Sequence, residues 1–136
     1  MKTPRLHDWQ ICYERFVSER QNMPFAWGSN DCCTFAADCV LALTGADVAL
    51  PELRTHTTEL QAARLLKKHG GVAGIATTAL GEPIAALLAN VGDVVLTDMG
   101  GGDTLAICNG SSCMAPGPHG LVHLGMDTAR ACWRVA

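Results

Sequence analysis

The sequence predicts an α+β fold, because helical patterns fill its first part and short strand patterns fill its last third. After Cys32, apolar residues recur at helical spacing, and Thr58 with Gln61 forms a typical helix start. From Gly92 onward, short apolar runs alternate with glycine-rich turns, as in antiparallel strands. We therefore expect N-terminal helices, with a central helix packed on a small antiparallel sheet.

The composition of the chain favours some classes of protein and argues against others. The chain has 136 residues, which is the size of a single domain over 1–136. Hydrophobic residues make up 49% and charged residues 17%, which favours a well-buried core over disorder. The formal net charge of -3 gives no electrostatic reason to expect nucleic acid as a partner. There is no apolar run of the length of a membrane span and no apolar region of signal-peptide type, so we expect synthesis in a reducing cytoplasm.

The first predicted element is an amphipathic helix over residues 4–21. Thr3 and Pro4 resemble a cap and a first turn, and the helix should end before Pro24. Its apolar residues share one face: Leu6, Trp9, Cys12, Tyr13 and Phe16. We interpret this face as core, with peptide binding as the alternative.

The central helix is predicted to begin at Cys32. Asn30 or Asp31 would cap its N-terminus, and Gly45 would end it. In the first turn, the free backbone N–H groups and the helix dipole favour the thiolate form of a cysteine. A thiolate is the form that attacks carbonyl carbons and binds metals. Cys39, about two turns further along the same face of this helix, is interpreted as a small core residue.

Two further helices and a set of strands are predicted after the central helix. A third helix should start at Thr58 and end at Gly70, and a short one should cover 72–80. His56 is interpreted as a solvated loop residue, and the apolar segment 83–89 fits either helix or strand. The predicted strands lie near 92–98, 104–108, 111–115, 121–124 and 131–135, with a hairpin turn at 109–110.

The segment from Trp27 to Cys32 resembles the nucleophile segment of the NlpC-type family, papain-like cysteine peptidases and amidases that cut cell-wall peptides. In that family a Tyr/Trp-Gly-Gly-x-Asp-Cys-Ser-Gly run opens the central helix, and its cysteine is the nucleophile. The resemblance implies a papain-like fold, a catalytic Cys32, and substrate-binding roles for Trp27 and Asp31. The chain departs from the pattern at Ser29 and at Cys33-Thr34, where Gly and Ser-Gly are usual.

The resemblance continues into the last third but lacks one catalytic residue. Residues 92–95 resemble the Gly-Asp-Leu-Val strand of the family, and 104–110 resembles the following His-Val-Gly-Ile-Tyr-x-Gly strand. Thr104 stands where the family has its catalytic histidine, and a threonine hydroxyl is no base near neutral pH. His119 and His123 are the candidates to replace that imidazole, because a sheet packed on the central helix would bring one of them near Cys32.

A metal site is the competing interpretation of the cysteines. The chain has seven cysteines, an odd number without the spacing of a disulfide framework. There is no Cys-x-x-Cys motif, and the adjacent Cys32 and Cys33 should project about 100° apart on a helix. We therefore expect no metal and no other cofactor.

Two functions remain open at this point. The helix start, together with the Ala-rich helix, resembles a branch of the family found in tailed-phage tail modules. That likeness implies a structural component of the virion tail, at the tail tip or baseplate, which binds hub proteins and has weak or no hydrolase activity. The alternative is an active cysteine endopeptidase or amidase that cleaves peptidoglycan peptides with Cys32 as nucleophile.

Overall fold

The computed structural model describes residues 3–136, which form an α+β fold of four helices and a five-stranded antiparallel sheet. The helices are α1 (Trp9–Arg20), α2 (Cys32–Thr44), α3 (Glu59–His69) and α4 (Gly71–Leu80). The strands are β1 (Val94–Asp98), β2 (Asp103–Cys108), β3 (Ser112–Gly117), β4 (Gly120–Gly125) and β5 (Ala131–Trp133). Their order in the sheet is β4-β3-β2-β1-β5. The predicted α+β class and the order of helices and strands along the chain are confirmed.

Helix α2 occupies the centre of the molecule, between α1 on one side and β2 and β3 on the other. Phe35, Cys39 and Leu43 are completely buried on it, because alanines at neighbouring positions let the surrounding elements approach closely. The face of the sheet toward α2 and α4 contributes aliphatic side chains and Trp133 to the same core. This packing fixes the position of the α2 N-terminus, where Cys32 lies.

The opposite face of the sheet carries a second, smaller core. Its buried members are Val95, Ala106, Cys108, Cys113, Ala115 and Cys132. The segment 83–89, for which the sequence left helix and strand open, helps to cover this face as an irregular connection. Within it, Ile84 forms an isolated bridge with Cys132, and the 3-10 turn Ala86–Leu88 follows. Short apolar runs of this kind are buried by tertiary contacts rather than by a local period.

The prediction of a helix from residue 4 is wrong, because α1 begins at Trp9. The preceding segment is instead held against α2 and the C-terminal end of the chain. The Leu6 amide donates to the Leu43 carbonyl at 2.8 Å. The Arg5 guanidinium donates to the carbonyl oxygens of Val135 and Val91, both at 2.8 Å. These long-range bonds outweigh the helical preference of the segment.

Asp93 anchors the segment before α1 to the segment after β5. It is fully buried, and its Oδ1 accepts hydrogen bonds from the Arg5 guanidinium at 3.0 Å and the Val135 amide at 2.9 Å. Its Oδ2 accepts from the Asn90 amide at 2.9 Å. Gly92 precedes it with a φ of +92°, and a Cβ there would lie 2.7 Å from the Leu43 side chain. The Gly-Asp pair thus joins the two ends of the chain to β1.

Replacement of Asp93 with Asn should therefore destabilise the fold strongly. The substitution keeps the shape but leaves the part-buried Arg5 charge uncompensated, so we expect a loss of about 3 kcal/mol in the free energy of unfolding. Urea denaturation followed by circular dichroism measures it. The matched control is Glu14→Gln on the exposed face of α1, with an expected change below about 0.5 kcal/mol. Equal midpoints for the two variants would contradict the anchoring role.

Candidate functional site

Cys32 is the first residue of α2 and lines a cleft of about 450 Å³. The predicted position of this thiol in the first turn of the central helix is confirmed. The walls are formed by the loop before α2, by α3 with the loop that precedes it, and by the connection into β2. Their apolar members include Phe25, Trp27, Leu53, Leu66, Val72 and Met99.

Asp31 organises the start of α2. It is the N-cap, and its Oδ1 accepts from the Thr34 amide at 2.9 Å while the Thr34 hydroxyl accepts from the Asp31 amide at 3.0 Å. Its Oδ2 accepts from the Gly28 amide at 2.8 Å and lies 3.0 Å from Nε2 of His56. Asp31 lines the cleft, but both of its carboxylate oxygens are engaged within the protein.

The interpretation of His56 as a solvated residue is wrong. Only 7% of it is exposed, and its ring lies between Asp31 at Nε2 and the Glu52 carbonyl oxygen, 3.4 Å from Nδ1. The loop before α2 approaches it closely, since a Cβ on Gly28 would lie 2.0 Å from the His56 carbonyl oxygen. The sequence offered no local pattern for the contact with Asp31, because that residue lies in a different loop, before α2.

Cys33 is a hydrogen-bond partner of the Cys32 sulfur. The two Sγ atoms are 4.0 Å apart, although the helical spacing predicts side chains that diverge. The Cys33 thiol hydrogen bond is the main cause that lowers the pKa of Cys32; burial opposes it, and the backbone amide of Leu105 on β2 adds to it. The pKa of Cys33 is raised, because its proton is held by Cys32 and because the group is buried. The pair therefore favours a thiolate on Cys32 beside a protonated Cys33.

The candidates for the missing imidazole lie away from this thiol. His119 is exposed in the turn between β3 and β4, and His123 is exposed on β4, opposite Met114. Neither is among the residues that line the cleft. Thr104 does line it, and its hydroxyl donates to the Gly102 carbonyl oxygen at 3.2 Å. Of the described residues that line the cleft, His56 is the one with an imidazole.

Phe25 and Trp27 form an aromatic wall of the cleft, and this wall is tied to strand β3. Trp27 packs edge-on against Phe25, with ring centroids 4.6 Å apart and an interplanar angle of 90°. The Phe25 amide donates to the Gly117 carbonyl at 2.8 Å, which ties this loop to β3. The exposed carboxylates of Glu59 and Asp103 line the cleft as well, and Asp103 is ion-paired with Arg130. The cleft thus combines an apolar, aromatic interior with a charged, polar edge.

Within residues 3–136, no three side chains of His, Cys, Asp or Glu are grouped closely enough to hold a metal ion. In the same range, none of the helices combines the length and the apolar character that a membrane span requires.

Cys32 should react with iodoacetamide faster than the other cysteines. Its pKa is lowered and it lines the cleft, whereas burial raises the pKa of Cys39 to about 12. The pH profile of Cys32 alkylation should therefore have its midpoint below the value of about 8.5 for a free thiol. Mass spectrometry of peptides from timed labelling measures both quantities. A midpoint at or above that of free cysteine would contradict the lowered pKa.

Alanine at Gly28 should separate the two loops of the site. The Cβ would meet the His56 carbonyl, and the φ of +78° is itself unfavourable for alanine. Gly45 is the matched control, with the same φ and no atom within 4 Å of its ideal Cβ. We expect Gly45→Ala to cost about 1 kcal/mol of unfolding free energy and Gly28→Ala about 2 kcal/mol more. Thermal unfolding of both variants compares them, and equal losses would contradict the close approach.

The family model of a domain of unknown function (DUF6950) matches residues 4–135 of the chain. A search of curated proteins finds no relative of the chain. The matched range contains every helix and strand described above and all residues of the cleft. The chain therefore belongs to the DUF6950 family of domains of unknown function.

Proposed function

We propose that this chain is a papain-like domain of the NlpC type that serves as a structural component of a phage tail tip or baseplate, with weak or no hydrolase activity. The proposal of weak or no hydrolase activity rests on one observation: the thiol at the helix start has no free imidazole beside it. The papain-like assignment is supported by the position of Cys32 on a central helix that packs against an antiparallel sheet. The placement in the tail rests on the resemblance of residues 27–32 and the following helix.

The argument against peptide cleavage concerns proton transfer. Cleavage of an amide needs a group that protonates the departing amine, normally an imidazole within hydrogen-bond reach of the site. His56 faces Asp31 with one nitrogen and the Glu52 carbonyl with the other. Movement of its Nε2 toward Cys32 would remove one hydrogen-bond partner of the buried Asp31 carboxylate, at a cost on the order of 1–3 kcal/mol. His56 therefore acts as a structural clamp in this proposal.

A cysteine hydrolase acting on peptidoglycan peptides is the second candidate. The specific observation in its favour is the lowered pKa of Cys32 in a cleft large enough for a peptide side chain. In this case, His56 would exchange Asp31 for Cys32 when substrate binds. The two candidates differ in whether Cys32 is needed.

A structural tail component should tolerate loss of the thiol. We expect particles made with the Cys32→Ala chain to reach the wild-type yield and infectivity, whereas deletion of the chain abolishes assembly. Cys12→Ala, on α1 outside the cleft, is the matched control. The measurements are particle titre and the mass-spectrometric presence of the chain in purified particles.

The hydrolase candidate predicts a different result. Purified wild-type protein would release soluble peptides from peptidoglycan sacculi, and Cys32→Ala would release none. Peptide release that depends on Cys32 would overturn the assignment of weak or no activity. Absence of the chain from purified particles would overturn the assignment to the tail.

A further inference from the structure

We propose that Cys32 accepts acyl groups from neutral thioesters, with Cys33 as the hydrogen-bond donor that holds its thiolate. This activity goes beyond the proposed structural role and does not depend on it. It follows from the two sulfurs in the cleft and from the leaving groups that a site without an imidazole can release.

The first step of the argument is the geometry of the sulfur pair. The two Sγ atoms lie 4.0 Å apart, and both cysteines line the same cleft. Either sulfur can donate in this contact, but a thiolate only accepts, so Cys33 is the donor whenever Cys32 is deprotonated. The backbone of Leu105 also contributes to the lowered pKa of Cys32. A thiolate at Cys32 is thus stabilised without a histidine.

The second step concerns the leaving group. An amine leaves a tetrahedral intermediate only after it has been protonated, and the cleft presents no free imidazole for that purpose. A thiolate leaves without assistance, because the pKa of a thiol, about 8.5, lies near neutral pH. The same Cys32 that fails to cleave amides can therefore exchange acyl groups with thioesters.

The reaction balances with these groups alone. The Cys32 thiolate attacks the carbonyl carbon of the thioester, and a new carbon–sulfur bond forms at Sγ. The bond from that carbon to the departing sulfur breaks, and its electron pair leaves with the departing thiolate, which takes a proton from water. Cys33 keeps its proton throughout, and its hydrogen bond to the Cys32 sulfur weakens as the charge on that sulfur disappears. Nothing is oxidised or reduced, and the product is an S-acyl Cys32.

The walls of the cleft indicate the class of acyl donor. An apolar interior of about 450 Å³, with Leu66 and Val72 from the helical side and Phe25 from the loop, fits a short aliphatic acyl chain. At the rim, Asp103 is paired with Arg130, and the Glu59 carboxylate disfavours anionic donors. The favoured donor is therefore a neutral thioester with a short alkyl chain.

The test uses the butyryl thioester of N-acetylcysteamine as the probe, at pH 7 with the full chain. We expect a mass increase of one butyryl group, located on the Cys32 peptide, at least about tenfold faster than on any other cysteine. The matched amide, N-butylbutyramide, should give no adduct, and Cys32→Ala should remove the fast phase. Acylation spread evenly over the cysteines, or no adduct on a Cys32 that iodoacetamide still labels, would overturn the proposal.

The role of Cys33 is tested by the pH profile of the same reaction. Cys33→Ala should slow Cys32 acylation at pH 7 by about tenfold and move the profile to higher pH, because the thiolate loses a donor. Cys33→Ser keeps a donor of similar size and should restore most of the rate. Cys12→Ser is the control, and we expect it to leave the rate and the pH profile of Cys32 acylation unchanged. Circular dichroism verifies folding of each variant, and coincident profiles for wild type and Cys33→Ala would overturn the role of Cys33.

Discussion

The Asp31 carboxylate is the interaction on which the candidate site depends. It caps α2 through Thr34, fixes the preceding loop through Gly28 and binds the imidazole of His56 from another loop. A single buried carboxylate thus determines where α2 begins and which loops form the walls around Cys32. Oδ1 of Asp31 makes the local capping bond, and Oδ2 remains available for Gly28 and His56. Helix capping is therefore coupled to a tertiary contact at the same carboxylate.

The same interaction limits the chemistry of the cleft. Asp31 and His56 engage each other in a buried place, so in the proposed structural role neither acts on the thiol or on a ligand. The acidity of Cys32 is left to thiol and amide donors, chiefly Cys33. Under both proposals the site stabilises an anion without supplying a proton to a departing amine, which is why we expect acyl exchange rather than amide hydrolysis.

A second buried carboxylate, Asp93, holds the termini together in the same manner. Arg5, near the start of the chain, and Val135, near its end, meet on it. This explains why the first helix begins at Trp9, later than its apolar pattern predicts. A guanidinium that bonds two carbonyl oxygens and a carboxylate contributes more to the fold than an additional helical turn would.

The sequence by itself determined the α+β class, the start of α2 at Cys32, the capping of α3 by Thr58 and the hairpin at Asn109. These features depend on local spacing, caps and turn residues, which the chain carries wherever it is placed. Only the tertiary structure decided the burial of His56, the 4.0 Å approach of the Cys32 and Cys33 sulfurs, and the exposure of His119 and His123. Each of these depends on segments far apart in sequence or on the exact direction of a side chain, and neither is encoded in a local pattern.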